Sequence, residues 1–458
     1  MTGSEEAALE SGPGKSADSN KPPSLWANAD YRGWWTGNTV SALGTSISAI
    51  AYPLLVLFAT GSVAKAGLIT AANLIGTLAT TLWGGALADR ISRKAILVFG
   101  PLVQAAVLAV VALIADTKHA QVPYLAAAAL LSGLCAGLIA GATTPALRRI
   151  VPKDQLPTAT AQAMGRDLAA ELLGTPVGGF LFAVSRWFPF AADAVSFLFA
   201  SLGAMAIRRP LGPDRDGREE GSTLLQDVKA GIGFVRGQPF LRFVVIWGAV
   251  LNTLLQAFTL LFIALVRYRG GGPTAVGVVS AVALVGGVLG AVLGPAVARQ
   301  VRARYVMYGA AWAFVGTTAL VSVVPKPWEI GAVTLLAMLT MVPLNVVLES
   351  YVVRIVPDAF SGRVAAVTRF GTQALHWTGP LLAGLLAAVF GVPGGTLALL
   401  ILLVPTALAL HLTGALALLD RPLEEVGELS VPDGDQDEVQ AQDEAMLEER
   451  VDGANASV

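Results

Sequence analysis

The chain has 458 residues, of which 54% are hydrophobic and 14% charged, whereas soluble domains carry roughly a quarter charged residues. With 49 glycines and a mean hydropathy of +0.65, the polar surface is too scarce to cover soluble domains of this size, and that class is excluded. The net charge of −1 hides an asymmetry: residues 420–458 hold 13 acidic and 2 basic groups, so the remainder is strongly basic.

In chain order, residues 1–30 place Glu5, Glu6, Glu10 and Asp18 among Gly, Ser, Pro and Lys, with no apolar core of the kind a secretory signal needs. They read as a disordered cytoplasmic leader. Twelve apolar stretches follow, at about 34–59, 67–87, 95–115, 122–144, 162–184, 188–207, 240–265, 274–298, 305–325, 330–353, 364–390 and 393–419. Most are long enough to cross a hydrocarbon core of about 30 Å as helices. A membrane β-barrel is excluded, because runs such as 281–297 do not alternate apolar with polar side chains. Their many small residues let helices approach closely. The longest connection, 208–239, starts charged and continues from Thr223 to Arg236 as an amphipathic surface helix. It divides the spans into 31–207 and 240–419. The acidic segment 420–458 contains no aromatic residue, and burial there does not repay the entropy of ordering it. The lone cysteine, Cys135, allows no internal disulfide, and the three histidines form no local metal-ligand cluster.

Basic residues set the orientation. Arg90, Arg93 and Lys94, then Arg148, Arg149 and Lys153, then Arg208 and Arg209 fall on alternate connections that share one side. The excess of Lys and Arg makes that side cytoplasmic, with both termini inside. A repeat supports the six-plus-six division: Arg149-Ile150-Val151-Pro152 recurs as Arg354-Ile355-Val356-Pro357 at an offset of 205 residues, and the same offset carries Gly174 onto Gly379. Two related six-helix halves imply a central cavity and alternating access.

The sharpest local motif is Gly84-Gly85-Ala86-Leu87-Ala88-Asp89-Arg90-Ile91-Ser92-Arg93-Lys94, a tight connection between the second and third spans. It resembles the signature loop of the major facilitator superfamily, and with the six-plus-six organisation the resemblance covers about residues 30–420. The resemblance implies an all-α membrane protein with a twelve-helix fold in two pseudo-symmetric six-helix halves. It assigns Gly85, Asp89, Arg90, Arg93 and Lys94 to gating: glycine permits close helix approach, while the carboxylate caps a helix terminus or pairs with basic groups of the other half.

Charge inside the spans marks candidate coupling sites. Asp167 and Glu171 are four residues apart on one helix face, next to Arg166. They either form a structural pair with Arg166 or take up a proton or a cation. Asp193 and Glu349 are the other intramembrane acids, each with a structural hydrogen-bonding or ion-pairing alternative. Gly174, Pro176, Gly178 and Gly179 in the fifth span, with Gly379 and Pro380 in the eleventh, supply helix packing and a local bend. The glycines of the fifth span also resemble the antiporter motif of drug–proton exchangers, with Thr175 where that motif has proline. Ser41-Ala42-Leu43-Gly44, the run Pro145 to Leu156, and Asp193-Ala194-Val195-Ser196-Phe197-Leu198 resemble bacterial macrolide-efflux and enterobactin-export proteins. Thr45 stands where many of those relatives carry an aspartate.

Polar and aromatic side chains within the spans are candidates to line the cavity. Asn38, Asn73, Asn252, Gln256 and Asn345 offer amides; Phe258, Phe370, Gln373, His376 and Trp377 add aromatic contact and further hydrogen bonds. That mixture suits a small amphipathic organic molecule. No phosphate-binding loop, HExxH motif or nucleophile elbow occurs, so the chain is not expected to be an enzyme or an ATP-driven pump. The short basic loops belong to topology, not nucleic-acid binding. The expectation is a monomeric exporter in the bacterial inner membrane that uses no cofactor and exchanges a drug-like or siderophore-like compound for protons. Uptake by symport, uniport, or a transport-inactive receptor are the alternatives.

Overall fold

The computed structural model describes residues 24–88, 92–116, 121–212, 224–421 and 423–427. Among the described residues the regular structure is entirely helical. The first six long helices are α1 (Ala29–Thr60), α2 (Val63–Ala88), α3 (Arg93–Ala115), α4 (Val122–Ile150), α5 (Leu156–Val184) and α6 (Phe188–Ala206). The short α7 (Leu224–Gly237) precedes α8 (Pro239–Tyr268), α9 (Pro273–Gln300), α10 (Ala303–Val323) and α11 (Pro327–Ile355). The chain then forms α12 (Asp358–Gln373), α13 (Thr378–Ala398) and α14 (Leu400–Leu412).

Local chemistry sets the helix ends. Asn28 caps α1, its side chain accepting from the amides of Asp30 and Tyr31, and Gly61 ends the helix in the left-handed conformation. Proline stands in the first turn of α4, α5, α6, α8, α9 and α11, where its missing N–H costs no helical hydrogen bond.

Eleven segments among the described residues are long and apolar enough to cross a bilayer. The last of them, Phe360–Leu412, has 53 residues, about 80 Å as one helix and far more than a bilayer requires. It is not straight. Residues 374–377 form turns between α12 and α13. Within α13, Gly391 has φ 71° and ψ 174°, a conformation open to glycine. There the chain reverses, so that a Cβ on Gly395 would lie 2.8 Å from the Leu386 carbonyl carbon.

The helices pack in two sets. In one, α1 lies against α5 and α6, α2 against α4, and α3 against α4 and α6; in the other, α8 packs on α12 and α13, α9 on α11, and α10 on α11 and α14. The sets meet where α5 crosses α9 and α2 crosses α13. At the end that carries the basic connections, polar contacts bind the first set together. The buried Asp30 carboxylate accepts from the backbone amides of Arg208 (2.9 Å) and Arg209 (3.2 Å). Asn28 Nδ2 donates to Ile150 O at 2.9 Å, Lys94 Nζ to Ile207 O at 2.6 Å, and Tyr31 Oη to Gln162 Oε1 at 2.8 Å. Backbone groups of this end that lack a helical partner are thereby satisfied.

Candidate functional site

Between the two sets lies a cavity of about 860 Å³, walled by α1, α3, α4, α5 and α6 on one side and by α8, α9 and α11 on the other. Small residues seal it at the end away from the basic connections. A Cβ on Gly179 would sit 2.5 Å from Pro273 O, and one on Gly277 would sit 3.0 Å from Pro176 Cα, so α5 and α9 touch backbone to backbone. Across the same end a Cβ on Gly384 would meet Ala64 Cα at 2.7 Å, joining α13 to α2. Arg267 at the end of α8 donates to Leu57 O in the last turn of α1, and its guanidinium lies 4.5 Å from the Phe58 ring centroid. Toward the basic end, among the described residues, nothing stands within 4 Å of a Cβ on Gly165 of α5.

Three charged residues line this cavity, all from one stretch of α5. Arg166 pairs with Asp167, its Nε and Nη2 donating to Oδ1 at 2.9 and 2.8 Å, and lies 5.4 Å from the Trp34 ring centroid. One turn later Glu171 is exposed, and among the described residues its carboxylate has no hydrogen-bond or ion-pair partner. Asp167 and Glu171 thus share the cavity, but Asp167 is neutralised locally and Glu171 is not. Opposite them, Phe258, Phe262 and Met338 provide an apolar wall, while Asn38, Gln256 and Thr259 contribute polar groups.

A second chamber of about 370 Å³ adjoins the first and shares Thr45, Gln104 and Gln256 with it. Asp193 is buried here, 1% exposed; Ser48 Oγ donates to its Oδ2 and Ser196 Oγ to its Oδ1 at 2.9 Å. Ser196 and Asp193 approach α1 because residue 44 is glycine: a Cβ there would lie 2.5 Å from Ser196 Cβ and 2.7 Å from Asp193 Oδ1. Asn73 also faces this chamber, with its Nδ2 bonded to Ala129 O at 3.0 Å.

Other expected cavity residues lie elsewhere. Asn252, Asn345, Phe370, Gln373, His376 and Trp377 line neither chamber. Asn252 spends its amide on Thr372 O at 3.2 Å, tying α8 to α12, while His376 and Trp377 sit in the turns before α13. Glu349 is exposed on α11 and also lines neither chamber. Gly174 and Gly178 pack α5 on α1, where Cβ atoms would meet Ser46 Cβ at 2.6 Å and Ile47 O at 2.5 Å. Gly379 packs α13 on α8, and Pro380 faces the second chamber. Of the five gating residues, Gly85 falls in α2, Arg93 and Lys94 open α3, and Asp89 and Arg90 lie outside the described residues. Sequence reasoning passed over Gln104, Tyr52 and Ser132, which face the second chamber. Gln104 carried a signal, being the sole polar side chain between Lys94 and Asp116. Among the described residues no group of His, Cys, Asp and Glu is arranged to hold a metal ion.

A family model described as Major Facilitator Superfamily matches residues 34–378. No curated protein sequence matches the chain. Solved structures do. A mutant of the nucleoside transporter NupG superposes with a TM-score of 0.70 at 12% identity, covering 83% of this chain and 99% of that one. A bacterial homologue of the human lysosomal transporter Spinster, inward-facing and unoccupied, gives 0.66 at 13% identity, over 86% and 97% of the two chains. A bacterial homologue of the iron transporter ferroportin, also inward-facing, gives 0.61 at 16% identity, over 85% and 100%. At these identities the likeness is one of fold.

Proposed function

The chain belongs to the Major Facilitator Superfamily, and on that premise we propose that it is a secondary exporter that moves an amphipathic organic compound by alternating access in exchange for protons. Membership makes it a transport protein and not an enzyme. The single observation that carries the finer reading is the 860 Å³ cavity between two helix sets, closed at one end by backbone contacts and uncovered at the other. A cavity of that form, with an apolar wall facing charged and amide groups, suits a solute with an apolar body and a few polar groups.

Counting the reversal at Gly391 as a boundary between two crossings makes twelve spans in two six-helix halves, with α7 in the linker between them. The basic end is then cytoplasmic by the positive-inside rule, both termini lie on that side, and the present state is inward-facing. The membrane is a bacterial inner membrane, and the motifs of α1 and α6 favour a drug-like or siderophore-like cargo over other classes. Glu171 is the leading proton carrier, because it stands free in the cavity while Asp167 is held by Arg166. Asp89 and Arg93 serve as a gate at the cytoplasmic end.

Solute flux in sealed proteoliposomes tests this, with hydrophobic antibiotics and siderophores offered under imposed and collapsed pH gradients. The expected result is saturable flux that follows the gradient. Flux indifferent to the gradient would replace antiport by uniport or by another ion; solute-induced conformational change with no flux would make the chain a receptor.

A further inference from the structure

The second chamber holds a carboxylate that no basic side chain neutralises among the described residues. Asp193 is 1% exposed, and the described lining contains one other ionisable side chain, Tyr52, and no basic group from α1, α2, α3, α4, α8 or α13. Ser48 and Ser196 donate hydrogen bonds to it, but neutral hydroxyls spread a charge without cancelling it, and a buried ion is costly unless paired. The missing positive charge has to come from solution.

A second observation says what kind of cation fits. Gln104 is 6% exposed, faces the same chamber, and among the described residues its Oε1 has no donor. Asn73, on the adjoining wall, has one Nδ2 hydrogen committed to Ala129 O, and its amide oxygen is a further neutral acceptor at the chamber. Carboxylate and carbonyl oxygens are the ligands of hard cations. With one carboxylate present, a monovalent ion balances the charge and a divalent ion overshoots it. A proton on Asp193 would cancel the charge but needs no chamber of about 370 Å³, which has room for an ion that keeps part of its water.

We propose that the chamber beside the main cavity is a sodium site, anchored by the Asp193 carboxylate with the Gln104 amide oxygen as a neutral ligand. The ion enters from the main cavity past the shared wall at Thr45 and Gln256. Because α8 and α13 supply Gln256 and Pro380 to a chamber otherwise built by α1, α2, α3, α4 and α6, displacement of one helix set relative to the other changes the site. Occupancy and conformation are therefore linked, and sodium acts as a coupling ion beside the proton proposed for Glu171.

The test requires neither a substrate nor a gradient, so it stands apart from the exporter reading. Equilibrium binding of radioactive Na⁺ to the purified full chain is measured at constant ionic strength, with choline as the replacement cation. The expected isotherm saturates at one ion per chain, vanishes in Asp193→Asn, and shifts to at least about tenfold weaker affinity in Gln104→Leu. Asp193→Asn keeps an oxygen for the serines, and Gln104→Leu leaves their network intact, so the graded loss can be read even where the first variant is poorly folded. No saturable binding to the wild-type chain overturns the proposal. So does binding that survives in both chamber variants, or that depends on Glu171 instead.

Discussion

Individual side chains act here through what they leave unpaired as much as through what they bind. Glu171 and Asp167 are one turn apart on α5, yet Arg166 occupies one and leaves the other free. Glu171→Gln is accordingly expected to abolish the response of solute exchange to an imposed pH gradient while leaving solute binding at fixed pH within about threefold of wild type; the same flux and binding assays check both. Gly44 is the opposite case, a position defined by the atoms it admits. Gly44→Ala would drive a methyl against Asp193 and Ser196, and overpacking of this kind costs about 1–3 kcal/mol. Thermal unfolding in detergent should show the loss, and an unchanged Tm would mean that α1 yields without cost.

At the scale of helices, apolar run length located the first ten spans, because crossing a bilayer is a local demand on about twenty consecutive residues, whereas the stretches expected at 364–390 and 393–419 lie in one apolar segment, Phe360–Leu412, with turns at 374–377 inside the first of them. The break before α13 was also written locally: Pro380 has no N–H to offer His376 O, and the chain forms turns over 374–377. What no local pattern held was the partner of each face. Asn252 and Gln256 lie one turn apart on α8 and look alike in sequence, but one meets the Thr372 carbonyl and the other faces both chambers. Glu171 was legible because a charge within a span is conspicuous, whereas Tyr52 and Ser132 were not, since hydroxyls abound in packed membrane helices. Asp30 was passed over for the same reason of partnership: it lies near the start of α1, and its role appears with the amides of Arg208 and Arg209 beside it. Asp30→Ala leaves those two donors without an acceptor, at a cost of about 1–3 kcal/mol. Hydrogen exchange should speed up over residues 207–211 and not along α8.

Across the whole molecule, the contacts between helix sets are concentrated where small residues allow them. Gly179→Val cannot be accommodated against Pro273 O and should force α5 from α9. Spin labels at Ser185 and Gly272, on the adjacent ends of those helices, would record a longer distance in the variant, and an unchanged distribution would show that this contact does not hold the end shut. Arg267→Ala removes the cross-set bond to Leu57 and should shift the same distribution in the same direction, by less. Accessibility gives an independent view. In a Cys135→Ala background, Met164→Cys is expected to react with a membrane-impermeant thiol reagent applied from the basic side, and Ala66→Cys, buried near the sealed end, to resist it from either side.

The backbone contact of α5 with α9 also has a mechanical meaning. Because Gly179 and Gly277 touch with no side chains between them, that crossing can serve as a fulcrum, around which the helices tilt without first unlocking interdigitated side chains. The stretch of α5 from Gly179 to its far end at Leu156 makes a lever of about 35 Å, so a tilt of only ~10° carries its far tip through roughly 6 Å, close to the width of an aromatic ring with its surface. A contact a few ångströms across thus sets how wide a mouth the opposite end can offer, and how bulky a passenger it can admit.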